Sequence, residues 1–503
     1  MTDQDRILDQ DRLRDPDWLW EELGLGIEVH GGEPPVTAEA PAPGEPPAPA
    51  KVIAPAEAVE LRRLVGLALR RNPLRAHLLV SRVLGKHLPV PPATALDAAA
   101  RLSERVRALP TPARWTGPGP GAAEVPLVIG YCETATALGH AVADGLPNSH
   151  YLHTTRRRVP GSVPVLEFVE SHSHATHHWL MPADPAVLET PGRLLLVDDE
   201  LSTGRTALGT IRILHAFAPR TDYAVAALVD ARPPAARAAF DALAAELGIR
   251  LDVVSLVAAT VTVPADVTAR ASRIRAAFGT PVPADAPVSA GAPASTEAPI
   301  TGDGAGGSVG SGGSGAGGGA AHRVTRVAVD WPAGLPDGAR HGWSPAARER
   351  LTDAVPAVAK DVLAGLPDPA RDGDILVLGT EELMYVPMRL ADGLAELTGR
   401  RVVYQSTTRS PVHPLDVDGY AIRAALTFPA PDGPERVSHV YNVTPGRYGD
   451  IVLVVDSGMD GRGPVPDGPD LDGLLTELRR CADVTVVTIP CHVPAARGAE
   501  EAR

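Results

Sequence analysis

The run from Arg193 to Thr206, Arg-Leu-Leu-Leu-Val-Asp-Asp-Glu-Leu-Ser-Thr-Gly-Arg-Thr, constrains the fold more than any other part of this sequence. Four consecutive apolar residues next to a charged turn predict a short buried strand. Residues 207–214 then carry apolar side chains at helical spacing. A strand, a tight loop and a helix in succession point backbone N–H groups and a helix N-terminus toward a bound anion.

The side chains of this run suit a phosphorylated sugar. Gly204 allows a tight turn and a close approach of the backbone to a phosphate. The carboxylates of Asp198 and Asp199 cannot bind phosphate, but they suit sugar hydroxyls or a Mg²⁺ ion. Three hydroxyl groups can donate to phosphate oxygens, those of Ser202, Thr203 and Thr206. The run therefore predicts a sugar-phosphate site.

The same run resembles the signature with which type I phosphoribosyltransferases bind 5-phosphoribosyl diphosphate (PRPP). An apolar strand, two acids and Thr-Gly-x-Thr stand at the defining positions. The resemblance implies that Asp198 and Asp199 are catalytic residues that hold the ribose hydroxyls or Mg²⁺. It also implies a 5-phosphate loop formed by Ser202, Thr203, Gly204, Arg205 and Thr206. An ordinary strand-to-helix turn is the alternative, whereas a Walker-type loop is excluded because no Gly-Lys-Ser/Thr follows.

A second strand and loop of this kind come earlier in the chain. Residues 125–130 predict a buried strand that ends at glycine, with a helix from Leu138 onward. In type I phosphoribosyltransferases the loop after the first core strand holds the diphosphate of PRPP, and the loop that resembles it here contains Glu133, Thr134, Ala135 and Thr136. Arg156 is a candidate diphosphate clamp, because guanidinium groups bind phosphate in a fork. A solvated basic face is the alternative for this arginine.

Four histidines lie close together at 172, 174, 177 and 178. A zinc site and a tag-like surface loop are two interpretations, although no cysteine lies nearby and the spacing matches no closed zinc pattern. The resemblance favours a third, a mobile loop between the second and third core strands that closes over the reaction and excludes water. Its candidate proton-transfer residues are His172, His174 and His177.

The bulk composition narrows the classes of function. The 503 residues allow two to four domains, and 44% hydrophobic residues allow packed cores. A formal net charge of -14 argues against general nucleic-acid binding. Three cysteines without a Cys-x-x-Cys pair indicate free thiols in a reducing cytosol. Because the sequence has neither a membrane-length apolar stretch nor a secretory signal, we expect a cytoplasmic protein.

Composition also divides the chain into segments. Residues 1–50 predict a polar lead-in, which includes a short amphipathic helix, and a Pro/Ala-rich linker. A first domain at 51–280 is separated from a second at 322–503 by a Gly/Ser/Pro-rich flexible linker at 281–321.

Periodicity predicts an α/β fold for the first domain. Helical spacing runs from Glu57 to Arg71 and from Leu96 to Leu109. After the central run, a strand at 223–229 and a helix at 234–247 continue an alternation that predicts a mainly parallel sheet flanked by helices. Between the first two helices stand Arg82, Lys86 and His87, which either reach a phosphate or remain solvated charges.

The second domain repeats the main sequence features of the first domain in the same order. It has an apolar strand ending in glycine, an acid before Ala-Asp-Gly-Leu, a strand ending in Thr-Thr-Arg, and an apolar strand ending in Asp. These are Leu376–Gly379, Glu381, Val402–Arg409 and Ile451–Asp456. We infer an internal duplication. Because neither a second acid nor Thr-Gly-x-Thr follows the last strand, the copy is a degenerate phosphoribosyltransferase-like domain that we do not expect to bind PRPP in the standard way.

A loop of the second domain carries a further resemblance. Thr407, Thr408, Arg409 and Ser410 are followed by proline, and the Thr-Arg-Ser-Pro run resembles the signature of the TRSP domain. That domain accompanies phosphoribosyltransferase-like domains in bacterial tellurite-resistance and stress gene neighbourhoods. The resemblance implies a role in nucleotide or nucleoside-like metabolism, whereas support of a domain contact is the alternative for this loop.

Together these motifs predict a phosphoribosyltransferase of the orotate-like branch, a glycosyltransferase with Mg²⁺ as cofactor. Its partners would be PRPP and a nucleobase-like small molecule, with no nucleic acid and no membrane, and the resemblance leaves a homodimer open. A non-catalytic PRPP-sensing regulator, or a scaffold whose second domain recruits a partner, is the alternative function.

Overall fold

The computed structural model describes residues 13–15, 17–30, 55–71, 76–110, 125–157, 159, 162–169, 177–278, 322–460 and 470–492. The two segments predicted as linkers, 32–50 and 281–321, lie outside these residues. The domain boundaries and the flexibility of the linkers therefore stay predictions.

Strands and helices alternate through the first half of the chain. In order they are α1 (Trp18–Leu23), β1 (Gly26–His30), α2 (Pro55–Leu64), β2 (Val65–Arg70), β3 (His77–Ser81), α3 (Pro92–Arg107), β4 (Leu127–Gly130), α4 (Thr136–Asp144), β5 (His150–His153), β6 (Leu166–Val169), β7 (His177–Leu180), β8 (Leu194–Leu201), α5 (Arg205–Phe217), β9 (Asp222–Asp230), α6 (Pro234–Leu247), β10 (Arg250–Thr262) and α7 (Val267–Ala277). The predicted strand at 223–229 and helix at 234–247 are confirmed as β9 and α6.

The second half continues the alternation. Its elements are β11 (Val324–Val327), α8 (Pro345–Ala364), β12 (Ile375–Gly379), α9 (Tyr385–Thr398), β13 (Val402–Ser406), β14 (Val412–His413), β15 (Ala425–Ala430), β16 (Gly433–Tyr441), β17 (Asp450–Asp456), α10 (Asp472–Leu478) and β18 (Asp483–Ile489).

The first sheet has the order β1-β10-β9-β8-β4-β5 and is parallel except for β1, which is antiparallel to β10. Its central strands are buried on both faces. Leu195 and Val197 pack on the side of α3 and α4, and Leu194 and Leu196 pack on the side of α5 and α6. An unbroken apolar run is what a parallel strand covered by helices on both faces requires, so the predicted α/β class is confirmed.

The second sheet has the order β11-β18-β17-β12-β13, and all its pairs are parallel. Four of its strands, β13-β12-β17-β18, follow the order that β5-β4-β8-β9 follow in the first sheet. The elements between them correspond as well, because α9 matches α4 and the antiparallel pair β15–β16 matches β6–β7. The structure therefore has the repeated element order that the sequence landmarks predict.

Reciprocal backbone pairing joins the two sheets. Val90, just before α3, exchanges hydrogen bonds of 3.1 and 2.8 Å with Tyr404 of β13. Trp343, just before α8, exchanges hydrogen bonds of 2.8 and 2.9 Å with Tyr151 of β5. Both contacts are isolated antiparallel bridges. Each half thus adds a short segment to the end strand of the other half, in the manner of a symmetric pair.

Two parts of the N-terminal region differ from their predictions. The helix predicted from Glu57 to Arg71 ends at Leu64, and Val65–Arg70 forms β2, because burial and pairing with β3 outweigh a helical pattern there. β2 also pairs with β14 of the second half. The short helix predicted in the lead-in is present as α1, but it is packed, since Trp18 is only 1% exposed. β1, which the sequence did not predict, completes the first sheet, so residues 17–30 are part of the packed structure.

Candidate active site

The acids of the central run lie inside β8 rather than after it. The strand continues through Asp198, Asp199 and Glu200 to Leu201, and pairing with β9 extends it beyond its four apolar residues. The three carboxylates are half-buried. They therefore stand at the C-terminal edge of the sheet, where open α/β folds bind ligands.

The loop after β8 leads directly into α5. Ser202 and Thr203 are exposed, and no side chain caps the N-terminus of the helix. Gly204 has a φ of 67° and lies against the ring of Phe240, which a Cβ at this position would overlap. The glycine is therefore required by packing as well as by the turn, and it leaves the helix N-terminus beside two open hydroxyl groups.

Three acidic side chains are adjacent at the end of β8, and two of them resist ionisation. Burial raises the pKa of Asp199, while the charge of Lys86 is among the influences that oppose the rise. Burial, and then the charge of Asp199, raises the pKa of Glu200 to about 8. Asp198 accepts a hydrogen bond of 2.9 Å from the N–H of Asp199. Glu200 was not among the predicted site residues, although it follows the acid pair directly.

The predicted diphosphate loop leaves the adjacent strand β4. Gly130 pairs with Val197 of β8, and the N–H of Tyr131 donates to the carbonyl of Val197 at 3.2 Å. The hydroxyl of Tyr151 donates to the carbonyl of Thr136 at 2.7 Å and occupies the space that a Cβ on Gly130 would need. The loop is thus fixed on the strand beside the acids.

The members of this loop differ in their accessibility. Ala135 and Thr136 are buried, and the hydroxyl of Thr136 donates to the carbonyl of Glu133 at 3.1 Å. Thr134 is half-buried and is the most accessible of the predicted members. The backbone and Thr134 are therefore the parts of the loop that are best placed to meet a ligand.

Arg156 is held at the exit of β5 by His178, for which the sequence predicts no role. Its Nε and Nη2 atoms lie 3.1 and 2.7 Å from Nε2 of His178. Nδ1 of His178 lies 3.1 Å from Oγ1 of Thr154, which accepts the N–H of Cys132 at 2.9 Å. His178 thus connects the predicted clamp with the diphosphate loop. The only sequence signal was the histidine cluster, which does not tell which member faces inward.

Of the predicted loop histidines, His177 lies in β7, whereas His172 and His174 lie outside the described residues. The mobility of this loop stays a prediction.

Glu133 directs its carboxylate toward cations from two distant segments. Nζ of Lys86 lies 2.6 Å from Oε2, and Nε of Arg409 lies 3.5 Å from Oε1. Burial alone would raise the pKa of Glu133, but Lys86 and then Arg409 outweigh it and hold the pKa below its usual value. The sequence left open whether Lys86 reaches a phosphate or is a solvated charge. The structure shows it as a buried partner of the diphosphate loop.

The predicted second-domain loop contacts the first domain. The carbonyl of Thr407 lies 3.4 Å from Nζ of Lys86, and Oγ1 of Thr408 accepts the N–H of Ser410 at 3.1 Å. The first bond and the pair between Arg409 and Glu133 connect the Thr-Thr-Arg-Ser run to the first domain, and the second bond is internal to the run. The domain contact offered as one interpretation is present.

The corresponding strand end in the second sheet is neutralised. Asp456 of β17 is 1% exposed and accepts hydrogen bonds of 2.6 and 3.2 Å from Arg157 of the first half. Among the residues that the structure describes, the one group of three or more potential metal ligands within 4.8 Å is Asp337, Asp456 and Cys491. Because Arg157 already balances Asp456, this group is not a convincing cation site.

Comparison with protein families agrees with this geometry. Residues 64–260 match a family model described as phosphoribosyl transferase, and residues 337–466 match one described as TRSP domain C terminus to PRTase_2. The first match defines the class of the domain that carries the acids and both loops. A phosphoribosyltransferase match is thus followed along the chain by a TRSP match, in the order that the sequence resemblance implied.

Among the solved structures to which the chain is similar are three phosphoribosyltransferases. Adenine phosphoribosyltransferase from Trypanosoma brucei, in complex with AMP, pyrophosphate and ribose-5-phosphate, is 12% identical with a TM-score of 0.29, over 41% of this chain and 80% of that one. The adenine enzyme from Rhodothermus marinus is 20% identical (TM-score 0.26, 39% and 97%), and orotate phosphoribosyltransferase from Aeropyrum pernix is 20% identical (TM-score 0.23, 40% and 92%). No curated protein sequence matches the chain.

Within the described residues, no helix combines the length and apolar character that a membrane span needs.

Proposed function

We propose that the first domain transfers the phosphoribosyl group of PRPP to a nucleobase-like acceptor and releases diphosphate. One observation carries the proposal: β4 and β8 are adjacent parallel strands, so residues 131–136 and the turn at 202–206 leave the same edge of the sheet, next to the acids at 198–200. A loop with backbone N–H groups and a helix N-terminus next to carboxylates offers separate sites for the two ends of a phosphorylated ribose.

Separate groups of residues bind the 5-phosphate, the ribose and the diphosphate of PRPP. The turn from Ser202 to Thr206 and the N-terminus of α5 hold the 5-phosphate, and Asp198 and Asp199 hold the ribose hydroxyls. The loop at 131–136, together with Arg156, holds the diphosphate. A base nitrogen attacks the anomeric carbon, the bond from that carbon to the diphosphate oxygen breaks, and the diphosphate leaves with the electron pair. The carboxylate of Asp199 stabilises the positive charge that develops on the ribose.

Mg²⁺ fits the donor set at the end of β8. Half-buried carboxylates at Asp198 and Asp199 are oxygen ligands of the kind that Mg²⁺ prefers, and it usually binds through one or two carboxylates together with substrate phosphates. When bound, the ion would supply positive charge to the departing diphosphate.

Titration calorimetry with PRPP and Mg²⁺, followed by a diphosphate-release assay with a panel of bases, tests the proposal. We expect PRPP binding and base-dependent release in the wild type, and neither in the double variant Asp198→Asn, Asp199→Asn. Asp241→Asn, an exposed acid on α6, is the matched control and should behave as the wild type.

Each other result has a definite meaning. Absence of PRPP binding by the wild type refutes the proposal, and PRPP binding without release for any base supports the regulatory alternative. The implied link to tellurite resistance is tested separately, by comparing the tellurite sensitivity of cells with and without the gene.

A further inference from the structure

Two cations from different domains meet at one carboxylate of the predicted diphosphate loop. Lys86 comes from the segment before α3, and Arg409 comes from the TRSP run after β13. Lys86 is 2% exposed and Glu133 is 8% exposed. A lysine this deeply buried is rare unless it is paired, so the site is built around its charge.

The arginine keeps an unused donor on the side of the loop. Among the described residues, Nε of Arg409 is buried without a hydrogen-bond acceptor, since Glu133 Oε1 at 3.5 Å forms only an ion pair. Its Nη2 atom contacts Glu381 and lies 3.4 Å from Asp432, and these acids fix the guanidinium from behind. Arg409 would therefore stay in position if the carboxylate of Glu133 moved away.

Lys86 connects this cluster with the acids of β8. Its charge acts both on Glu133, at 2.6 Å, and on Asp199. The ammonium group therefore contacts the predicted diphosphate loop directly, and its charge also reaches one of the predicted ribose-binding acids.

We propose that Lys86 and Arg409 form an interdomain half of the diphosphate subsite, which the carboxylate of Glu133 occupies until a diphosphate displaces it. The inference rests on the proposed function, which assigns the diphosphate to this loop. A carboxylate cannot bind a diphosphate, but its two oxygens bridge the cations as two phosphate oxygens would. The TRSP domain thereby contributes a binding residue to the phosphoribosyltransferase domain.

Calorimetry on full-length variants, with inorganic diphosphate and ribose 5-phosphate as separate probes in the presence of Mg²⁺, tests this inference. Arg409→Gln should weaken diphosphate binding by about 10- to 100-fold, as expected for a lost charge-assisted hydrogen bond, and leave ribose 5-phosphate within about twofold. Glu133→Gln should strengthen diphosphate binding by about tenfold, because a competing charge is removed.

Arg436→Gln is the matched control. Arg436 contacts the same Asp432, and no contact with Glu133 is described for it, so both probes should bind as they do to the wild type. Retained ribose 5-phosphate binding in Arg409→Gln also demonstrates that the variant is folded.

The outcomes separate this inference from the proposed function. If the wild type binds both probes and Arg409→Gln binds diphosphate unchanged, the inference is overturned while the function stands. Equal loss of both probes in Arg409→Gln, or weaker diphosphate binding by Glu133→Gln, overturns it as well. If the wild type binds neither probe, the proposed function itself fails.

Discussion

The C-terminal ends of β8 and β17 occupy the same place in two sheets of the same strand order, but they differ in charge balance. β8 ends with three half-buried acids next to a hydroxyl-bearing turn, whereas Asp456 at the end of β17 is bonded to Arg157 from across the interface. The N–H of Arg157 bonds to Thr155 Oγ1 as the N–H of Ser410 bonds to Thr408 Oγ1, so serine stands where the first half has arginine. The opposite domain therefore helps to decide whether a strand end can bind a ligand.

The largest expected contrast is between acid-to-amide changes at the two strand ends. The double variant Asp198→Asn, Asp199→Asn should weaken PRPP binding by more than about 100-fold, since both ribose contacts are lost. Asp456→Asn should leave PRPP affinity within about twofold but destabilise the fold by about 3 kcal/mol, because the half-buried Arg157 loses its charged partner. Calorimetry and thermal melts measure the two effects. Loss of PRPP affinity in Asp456→Asn would show that the two ends are not independent.

A second contrast compares two glycines of the first half. Gly204→Ala should destabilise the protein by about 3 kcal/mol and weaken ribose 5-phosphate binding, because its φ of 67° disfavours alanine and a Cβ would overlap Phe240. Gly209→Ala, inside α5 with open space around a Cβ, should stabilise by up to about 1 kcal/mol. Thermal melts and calorimetry measure both variants. A neutral Gly204→Ala would contradict the described turn.

The smallest expected effect concerns the pH dependence of the interface. Burial opposes ionisation of Glu382, but Arg340 and then His153 outweigh it and lower its pKa from 4.5 to about 2. A depressed pKa stabilises the fold above pH 4.5, and this contribution is lost as the pH falls from 4.5 toward 2. The difference in Tm between the wild type and Glu382→Gln should therefore be several degrees near neutral pH and narrow below pH 4.5.

Glu246→Gln removes the exposed pair with Arg212 and is the control for that experiment. It should change Tm little at any pH. A Tm difference for Glu382→Gln that stays constant from pH 7 to 3 would contradict the lowered pKa of Glu382.

Local features of the sequence were sufficient to predict the framework of the first half. The apolar run at 194–197 predicts a buried strand, which β8 confirms, and the helix at 234–247 follows from its periodicity and its flanking residues. The helix predicted through Arg71 was wrong beyond Leu64, because pairing with β3 and β14 decides the conformation of 65–70. Propensity alone does not contain such long-range partners.

The ion pairs of the site were beyond prediction for the same reason. Arg157 and Asp456 are 299 positions apart, and Lys86 meets Glu133 across a separation of 47. Their proximity follows from how the two halves pack, which no spacing rule describes. Glu200 is different, because it directly follows the acid pair and its place at the site could have been predicted from the motif.

The reciprocal bridges of Val90 with Tyr404 and of Trp343 with Tyr151 have an evolutionary consequence. When two identical subunits pair in this way, one gene specifies both, and every substitution changes the ligand-binding ends of both sheets at once. In a single polypeptide that contains both halves, each half can change independently. The second half can then have serine where the first has arginine, and can lack the hydroxyl-bearing turn that the first half retains.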